Sequence, residues 1–190
     1  MMKYVILVFF LLIVVISNAQ NNNYTKMVFN INGDLNKDGL EDLVTIKEDA
    51  SNADKPLLLE IKFKQKDGKY LSVLKSETGL MSKKSNKIDA CILEELTIKK
   101  GILIFRNQLM KGSLLHKFRY QHKHFELIGY TCHNAGAGGV QFTDYNLATG
   151  EKVEKLIDYQ TDKILKETTT SEKVNPLPNL KNFVPLDLMY

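Results

Sequence analysis

Short runs in which apolar and polar residues alternate make up most of this chain. The stretch "PLLLEIKFKQKDGKYLSVLKSE" alternates on both sides of residues 66–69, and its Asp67-Gly68 pair is typical of a hairpin turn. Similar turn signals stand at residues 99–101, 121–124 and 148–150, with no long amphipathic helical pattern between them. The pattern predicts a mostly β protein with little helix. We expect antiparallel hairpins or a meander, in a sandwich or a partial propeller-like arrangement.

Four other stretches are less regular. Residues 79–87 are predicted to form a loop, and residues 151–173 carry the weakest strand pattern, so a short helix is an alternative there. The glycine-rich stretch "NAGAGGV", residues 134–140, predicts a binding or mobile loop between strands at a sheet edge. The tail, residues 175–190, holds three prolines, and we expect it to run extended and to pack its leucines and phenylalanine on the sheet.

The N-terminus, "MMKYVILVFFLLIVVISNAQ", has the pattern of a secretory signal peptide. A lysine precedes a short apolar run, and small residues stand before Gln20. The run is shorter than the roughly 20 apolar residues of an easy bilayer crossing, so an uncleaved anchor is the less favoured alternative. Residues 1–19 are therefore predicted to be cleaved after Ala19. This leaves a single β-rich domain, residues 20–190, in the periplasm or secreted, without a membrane segment.

The charge of the chain is modest. The formal net charge is +4, and the lysines are scattered among apolar residues rather than gathered in a patch. Such a distribution is typical of a solvated sheet face and gives no reason to expect nucleic acid as a partner.

Residues 33–44, "GDLNKDGLEDLV", concentrate carboxylate and amide side chains between two strand-like runs. Counted from the first aspartate, oxygen-bearing side chains occupy positions 1, 3, 5 and 9. Position 6 is Gly39, which permits a sharp bend, and position 7 can offer its backbone carbonyl. Calcium prefers six to eight oxygen ligands, which a short loop supplies by turning alternate side chains inward. The predicted ligands are Asp34, Asn36, Asp38, Leu40 and Asp42.

This loop resembles the calcium loop of FG-GAP repeats, also called VCBS or integrin-type repeats. The pattern Asp-x-Asp/Asn-x-Asp-Gly-x-x-Asp between strands is matched from Asp34 to Asp42, and Leu43-Val44 follow as in the family. An EF-hand is a poorer match, because Thr45 stands where that loop has its bidentate glutamate. The resemblance implies a calcium loop over residues 34–42. Only one copy is found, so it does not imply a complete propeller.

Candidates for catalysis are weak. His122 and His124 flank a lysine at a predicted hairpin tip, where polar solvated residues are expected rather than a zinc site. Cys132 and His133 are sequence neighbours, and adjacent side chains on a strand point to opposite faces, which disfavours a nucleophile–base pair.

Cys91 and Cys132 remain after signal cleavage. In an exported protein they could form one disulfide, or Cys91 could be a buried small hydrophobe.

The sequence therefore favours an exported, calcium-binding, non-catalytic binding or structural module with a protein or glycan partner in the cell envelope. Two alternatives stay open. The first is a periplasmic immunity or inhibitor protein that blocks a toxin or a hydrolase. The second is a hydrolase that acts on envelope polymers, which would need a carboxylate pair or a nucleophile–base pair outside the acidic loop.

Overall fold

The structure is a computed structural model that describes residues 23–85, 88–89 and 91–187. Over these ranges every regular element is a β-strand and all strand pairs are antiparallel, which confirms the predicted mostly β fold. No helix that is long and apolar enough to cross a bilayer occurs in the described part of the chain. The predicted signal peptide, residues 1–19, lies outside the described residues.

The N-terminal half forms a four-stranded sheet in which each strand pairs with the next along the chain. Its strands are β1 (Lys26–Gly33), β2 (Asp42–Glu48), β3 (Leu57–Lys64) and β4 (Tyr70–Ser76). The alternating pattern decides which residues face the core. In β3, Leu57, Leu59, Ile61 and Phe63 are buried, while the residues between them are partly exposed. The hairpin predicted around Asp67-Gly68 joins β3 to β4.

The remainder forms a seven-stranded antiparallel meander in the order β13-β12-β11-β10-β9-β8-β7, and a small pair of two-residue strands precedes it. The small pair is β5 (Lys84–Ser85) and β6 (Ile88–Asp89). The meander consists of β7 (Cys91–Lys99), β8 (Ile102–Leu109), β9 (Gly112–Gln121), β10 (His124–Gly136), β11 (Gly139–Asn146), β12 (Glu151–Ile157) and β13 (Ile164–Ser171). The turns predicted at residues 99–101, 121–124 and 148–150 all connect strands of this sheet.

One hydrophobic core joins the two sheets. Phe63 of β3 packs against Tyr120 of β9 with ring centroids 4.9 Å apart, and against Phe125 of β10 at 6.0 Å. The C-terminal segment (residues 172–187) adds Leu180 and Phe183, which are both buried in the same core. Burial of this shared apolar surface is the main force that holds the sheets together.

One local prediction was confirmed and another was wrong. Residues 151–173, which carried the weakest strand pattern, contain the paired strands β12 and β13, so the alternative of a short helix does not hold. The glycine-rich stretch 134–140 is no extended loop, because β10 runs to Gly136, β11 starts at Gly139, and those two residues pair. Its tip lies between two central strands of the meander and not at a sheet edge. The loop predicted over residues 79–87 includes the short strand β5, and residues 86–87 lie outside the described ranges.

The two cysteines are free and buried. Cys91 lies on β7 and Cys132 on β10, three strand positions apart in the meander. With a strand spacing of about 4.8 Å, this order separates them by about 14 Å, well beyond the reach of a disulfide. Burial raises the pKa of the Cys91 thiol to about 11 and also raises the pKa of Cys132. Of the two readings of Cys91, the structure therefore favours the buried small hydrophobe.

We expect both thiols to be reduced and protected in the folded protein. Iodoacetamide added without any reductant should modify both cysteines in denaturant and react very slowly with the native protein, because each thiol is buried and protonated. Intact-mass spectrometry measures both states. A pair of thiols that becomes reactive in denaturant only after reduction would contradict this strand order.

His116 of β9 is a buried titratable group in the core. It is 2 % exposed, and its ring lies 5.3 Å from Phe105 and 5.0 Å from Phe183. Its Nδ1 has no hydrogen-bond partner among the described residues. Burial lowers the His116 pKa to about 4, although a hydrogen bond to the Pro185 backbone partly opposes this shift. The folded protein therefore holds this imidazole neutral at pH values where the unfolded chain protonates it.

Stability should fall as pH drops from about 6.5 to about 4, because in this window the unfolded chain binds a proton at His116 that the folded protein does not. A shift of this size corresponds to about 3 kcal/mol of unfolding free energy. Urea unfolding between pH 7 and pH 4 measures the slope. His116→Phe should remove this share of the slope while carboxylate titration remains. An unchanged slope in His116→Phe would exclude His116 as its source.

Candidate cation site in the first hairpin loop

The acidic loop connects β1 to β2, so strands flank it as expected. Gly33 and Asp42 are the last paired residues on either side, and the loop turns back between them. Two residues inside the turn have positive φ, Lys37 at 64° and Gly39 at 85°. The second position explains the glycine, because a side chain would be strained in this left-handed conformation.

Side-chain oxygens from the first half of the loop turn inward onto the loop's own backbone. The Asp34 carboxylate accepts hydrogen bonds from the backbone N–H groups of Asp38, at 3.1 Å, and of Gly39, at 3.0 Å. Asn36 Oδ1 also accepts from Asp38 N at 3.0 Å, and Asp38 Oδ1 accepts from Leu40 N at 2.8 Å. Positions 1, 3 and 5 therefore share one small region enclosed by the turn.

One contact in this region would have to change for a cation to bind. Asn36 Nδ2 donates to Asp38 Oδ2 at 2.9 Å, so an amide N–H points at the Asp38 carboxylate. An amide group presents an acceptor oxygen on one side and donor hydrogens on the other. A half-turn of the Asn36 amide would direct its oxygen toward the carboxylates, which is the orientation a calcium ligand needs.

Asp42 is the most constrained residue of the set. Its side chain is fully buried, and its two oxygens accept hydrogen bonds from Leu35 N at 2.9 Å and from Lys64 N at 3.1 Å. Burial raises the pKa of Asp42, these backbone N–H donors act against that shift, and the negative charge of Asp38 adds to it. No lysine, arginine or histidine of the described residues forms an ion pair with Asp42. Asp42 is thus a desolvated carboxylate without a balancing cation.

The loop is anchored to both sheets. Leu35 at position 2 is 1 % exposed and belongs to the shared hydrophobic core. On the other side, the loop lies against the β7–β8 turn and approaches Gly101 closely. A Cβ atom built at Gly101 would lie only 2.9 Å from Lys37 Cε and 3.6 Å from the Asp34 carbonyl oxygen. At the start of the loop, a Cβ at Gly33 would lie 2.8 Å from Ile98 of β7. The loop therefore occupies the junction between the sheets.

The structure brings the five predicted ligands into one short loop but does not form a closed cation cage. Within the described ranges, no group of three or more His, Cys, Asp or Glu side chains is placed to hold a metal ion. Leu40 is half-buried, and Glu41 at position 8 is exposed. Sequence reasoning missed the bond from Asp42 to Lys64. The two residues are 22 positions apart, and only strand pairing brings them together.

The other chemical candidates lie apart from this loop. His122 and His124 are exposed at the β9–β10 tip, as predicted, and His122 Nδ1 lies 3.2 Å from Glu126 Oε1. Cys132 is buried and His133 is exposed, so these neighbours point to opposite faces of the sheet, also as predicted. Neither pair forms an arrangement for nucleophilic catalysis.

Comparison of the chain with protein-family models, with curated proteins and with solved structures gave no match. Function is therefore inferred from the residues themselves. Among the described residues, the first hairpin loop combines inward-turned side-chain oxygens with a buried carboxylate that has no cationic partner.

Proposed function

We propose that this protein is an exported, calcium-binding, non-catalytic module whose loop at residues 34–42 binds one calcium ion. The side chains of Asp34, Asn36, Asp38 and Asp42 and the carbonyl oxygen of Leu40 would be its ligands. The observation that carries this proposal is the state of Asp42. It is fully buried, its pKa is raised by burial, a second carboxylate lies nearby, and no cationic side chain in the described part of the chain pairs with it.

Calcium fits this set better than other ions. The candidate ligands are all oxygens, which hard cations prefer and which zinc accepts less readily than nitrogen or sulfur. The loop offers several oxygen ligands of different kinds, which suits the larger and less regular shell of calcium. Magnesium requires a tighter octahedral arrangement. A bound calcium ion would offset the charge of Asp42 and Asp38 together.

The expected effect of the ion is structural. Three contacts link the loop to the rest of the fold. Leu35 packs in the core, Asp42 accepts a hydrogen bond from Lys64 of β3, and Lys37 lies against the β7–β8 turn. An ion that orders this loop would strengthen the junction of the two sheets. This role requires no reacting group near the metal.

The chemistry of the remaining candidate groups supports a non-catalytic role. The Cys91 and Cys132 thiols have raised pKa values, so little reactive thiolate is present at neutral pH. His116 is enclosed by aromatic rings in the core. We propose that the module acts by binding a protein or glycan in the cell envelope, which it reaches through the N-terminal secretion segment.

Calcium should raise the melting temperature of the protein. With about 1 mM calcium and a dissociation constant near 0.1 mM, mass action stabilises the fold by about 1.4 kcal/mol. For a domain of this size the gain corresponds to a rise of about 3–6 °C. Differential scanning calorimetry in calcium, in magnesium and in chelator measures it. Magnesium should give a much smaller rise, and chelator should reverse the calcium effect.

Two single variants test whether the loop is responsible. Asp38→Ala should abolish the calcium-induced rise, because it removes a central ligand. Glu41→Ala is the matched control from the same loop. It should keep most of the rise, since Glu41 is exposed at a position that supplies no ligand. Each variant is compared with its own calcium-free melting temperature, which separates ion binding from loss of stability. An equal rise in Asp38→Ala and in the parent would show that the loop binds no calcium.

A further inference from the structure

A second candidate site lies on the meander, away from the calcium loop. A cavity of about 560 Å³ opens on one face of β10, β11 and β12 and is bounded on one side by the C-terminal segment. This volume falls in the range of small-molecule pockets and is far larger than a bare metal ion requires. We call it the meander cleft. Its floor includes Tyr130, Cys132 and Tyr145, and its rim includes Lys152, Glu154 and Glu172.

Strand register builds this cleft. Tyr130 of β10 is opposite Tyr145 of β11, which is in turn opposite Lys152 of β12. One row further along, Cys132 and Glu154 flank the same central strand. Directly opposed residues project to the same face of a sheet, so these rows converge on one side. The cleft is therefore formed by residues that strand pairing brings together, and these residues do not form a motif in the sequence.

The floor contains two tyrosines whose hydroxyl groups differ in hydrogen bonding. Tyr130 is 4 % exposed and forms no hydrogen bond with any described residue, whereas the neighbouring Tyr145 hydroxyl donates to the Glu172 carbonyl oxygen at 2.5 Å. The two rings lie edge to face with centroids 5.8 Å apart. Burial raises the Tyr130 pKa to about 12, and nearby Cys132, Glu154 and Glu172 add to this shift. The same three neighbours line the cleft together with Tyr130.

The charge of the cleft is opposite to that of the chain. Three carboxylates, from Glu154, Glu172 and Asp187, line it together with one ammonium group, while the whole chain carries a net charge of +4. Lys152 Nζ already pairs with Glu154 Oε1 at 3.1 Å. Glu172 and Asp187 form no ion pair with described residues. The backbone of Glu172 is held by a hydrogen bond from Glu172 N to Gly150 O, at 2.8 Å, and by one from the Tyr145 hydroxyl to its carbonyl oxygen.

We propose that the meander cleft binds an organic cation, a protonated amine or a guanidinium group carried on a short carbon chain. Glu172 and Asp187 would pair with the charge, and the Tyr130 hydroxyl would accept a hydrogen bond from it. The faces of Tyr130 and Tyr145 would contact the carbon chain and favour the cation through their π electrons. The cation could belong to a free amine or to a lysine side chain of a peptide. This site is independent of the calcium loop.

A charge series of equal chain length tests the proposal. Cadaverine, 1,5-pentanediol and glutarate are titrated into the full protein, with calcium and with chelator, and binding is followed by calorimetry and amide NMR shifts. We expect cadaverine to bind at least tenfold more tightly than the diol and glutarate not to bind. Added salt should weaken cadaverine binding.

A peptide with a single lysine is titrated in parallel. Tighter binding of the peptide identifies a polypeptide source, and tighter binding of cadaverine identifies a free amine.

Variants locate the binding. Glu172→Gln should weaken cadaverine binding about three- to tenfold, and Tyr130→Phe about threefold, since each removes one polar contact. Asp144→Asn is the matched control. Asp144 lies on β11, but its side chain bonds Thr131 at 2.8 Å on the opposite face of the sheet. This variant should change the affinity by less than twofold. Equal affinity for cadaverine and the diol, or equal weakening in Asp144→Asn and Glu172→Gln, would overturn the proposal.

Discussion

The buried carboxylate of Asp42 links the first hairpin loop to the neighbouring strand β3. Asp42 is the first residue of β2, has no exposed surface, and accepts hydrogen bonds from the backbone N–H groups of Leu35 in the loop and Lys64 at the end of β3. A buried charge is costly unless hydrogen bonds or an opposite charge compensate it. The two backbone donors compensate part of that cost, while the charge of Asp38 increases it. A cation in the loop would supply the opposite charge that the described side chains do not.

The position of the loop explains why a local ion would matter to the whole fold. Leu35 places one side of the loop in the core that both sheets share, and Lys37 places the other side against the turn at Gly101. Ordering of the loop therefore acts on the contact between the sheets, where β1 approaches β7. The meander cleft lies elsewhere, on strands held by their own pairing. The proposed calcium loop and the proposed ligand site therefore lie on different parts of the molecule.

The sequence alone predicted the features that depend on residues close together in the chain. The hairpin at Asp67-Gly68 and the bend at Gly39 follow from residues that favour tight turns, and both were recognised. The β12–β13 hairpin was harder to predict because every residue of β13 is exposed, so no buried face marks it as a strand. The bond from Asp42 to Lys64, the separation of the cysteines and the meander cleft depend on register and strand order. A single sequence does not encode these in any local pattern.

Anomalous diffraction from crystals of the protein grown with calcium would show whether the first hairpin loop binds the ion. We expect one ion in this loop, about 2.3–2.6 Å from the oxygens of Asp34, Asp38, Asp42 and the Leu40 carbonyl. We also expect the Asn36 amide to have turned, so that Oδ1 faces the ion and the bond from Nδ2 to Asp38 is lost. A loop without an anomalous peak at saturating calcium, in which Asn36 Nδ2 still donates to Asp38, would contradict it.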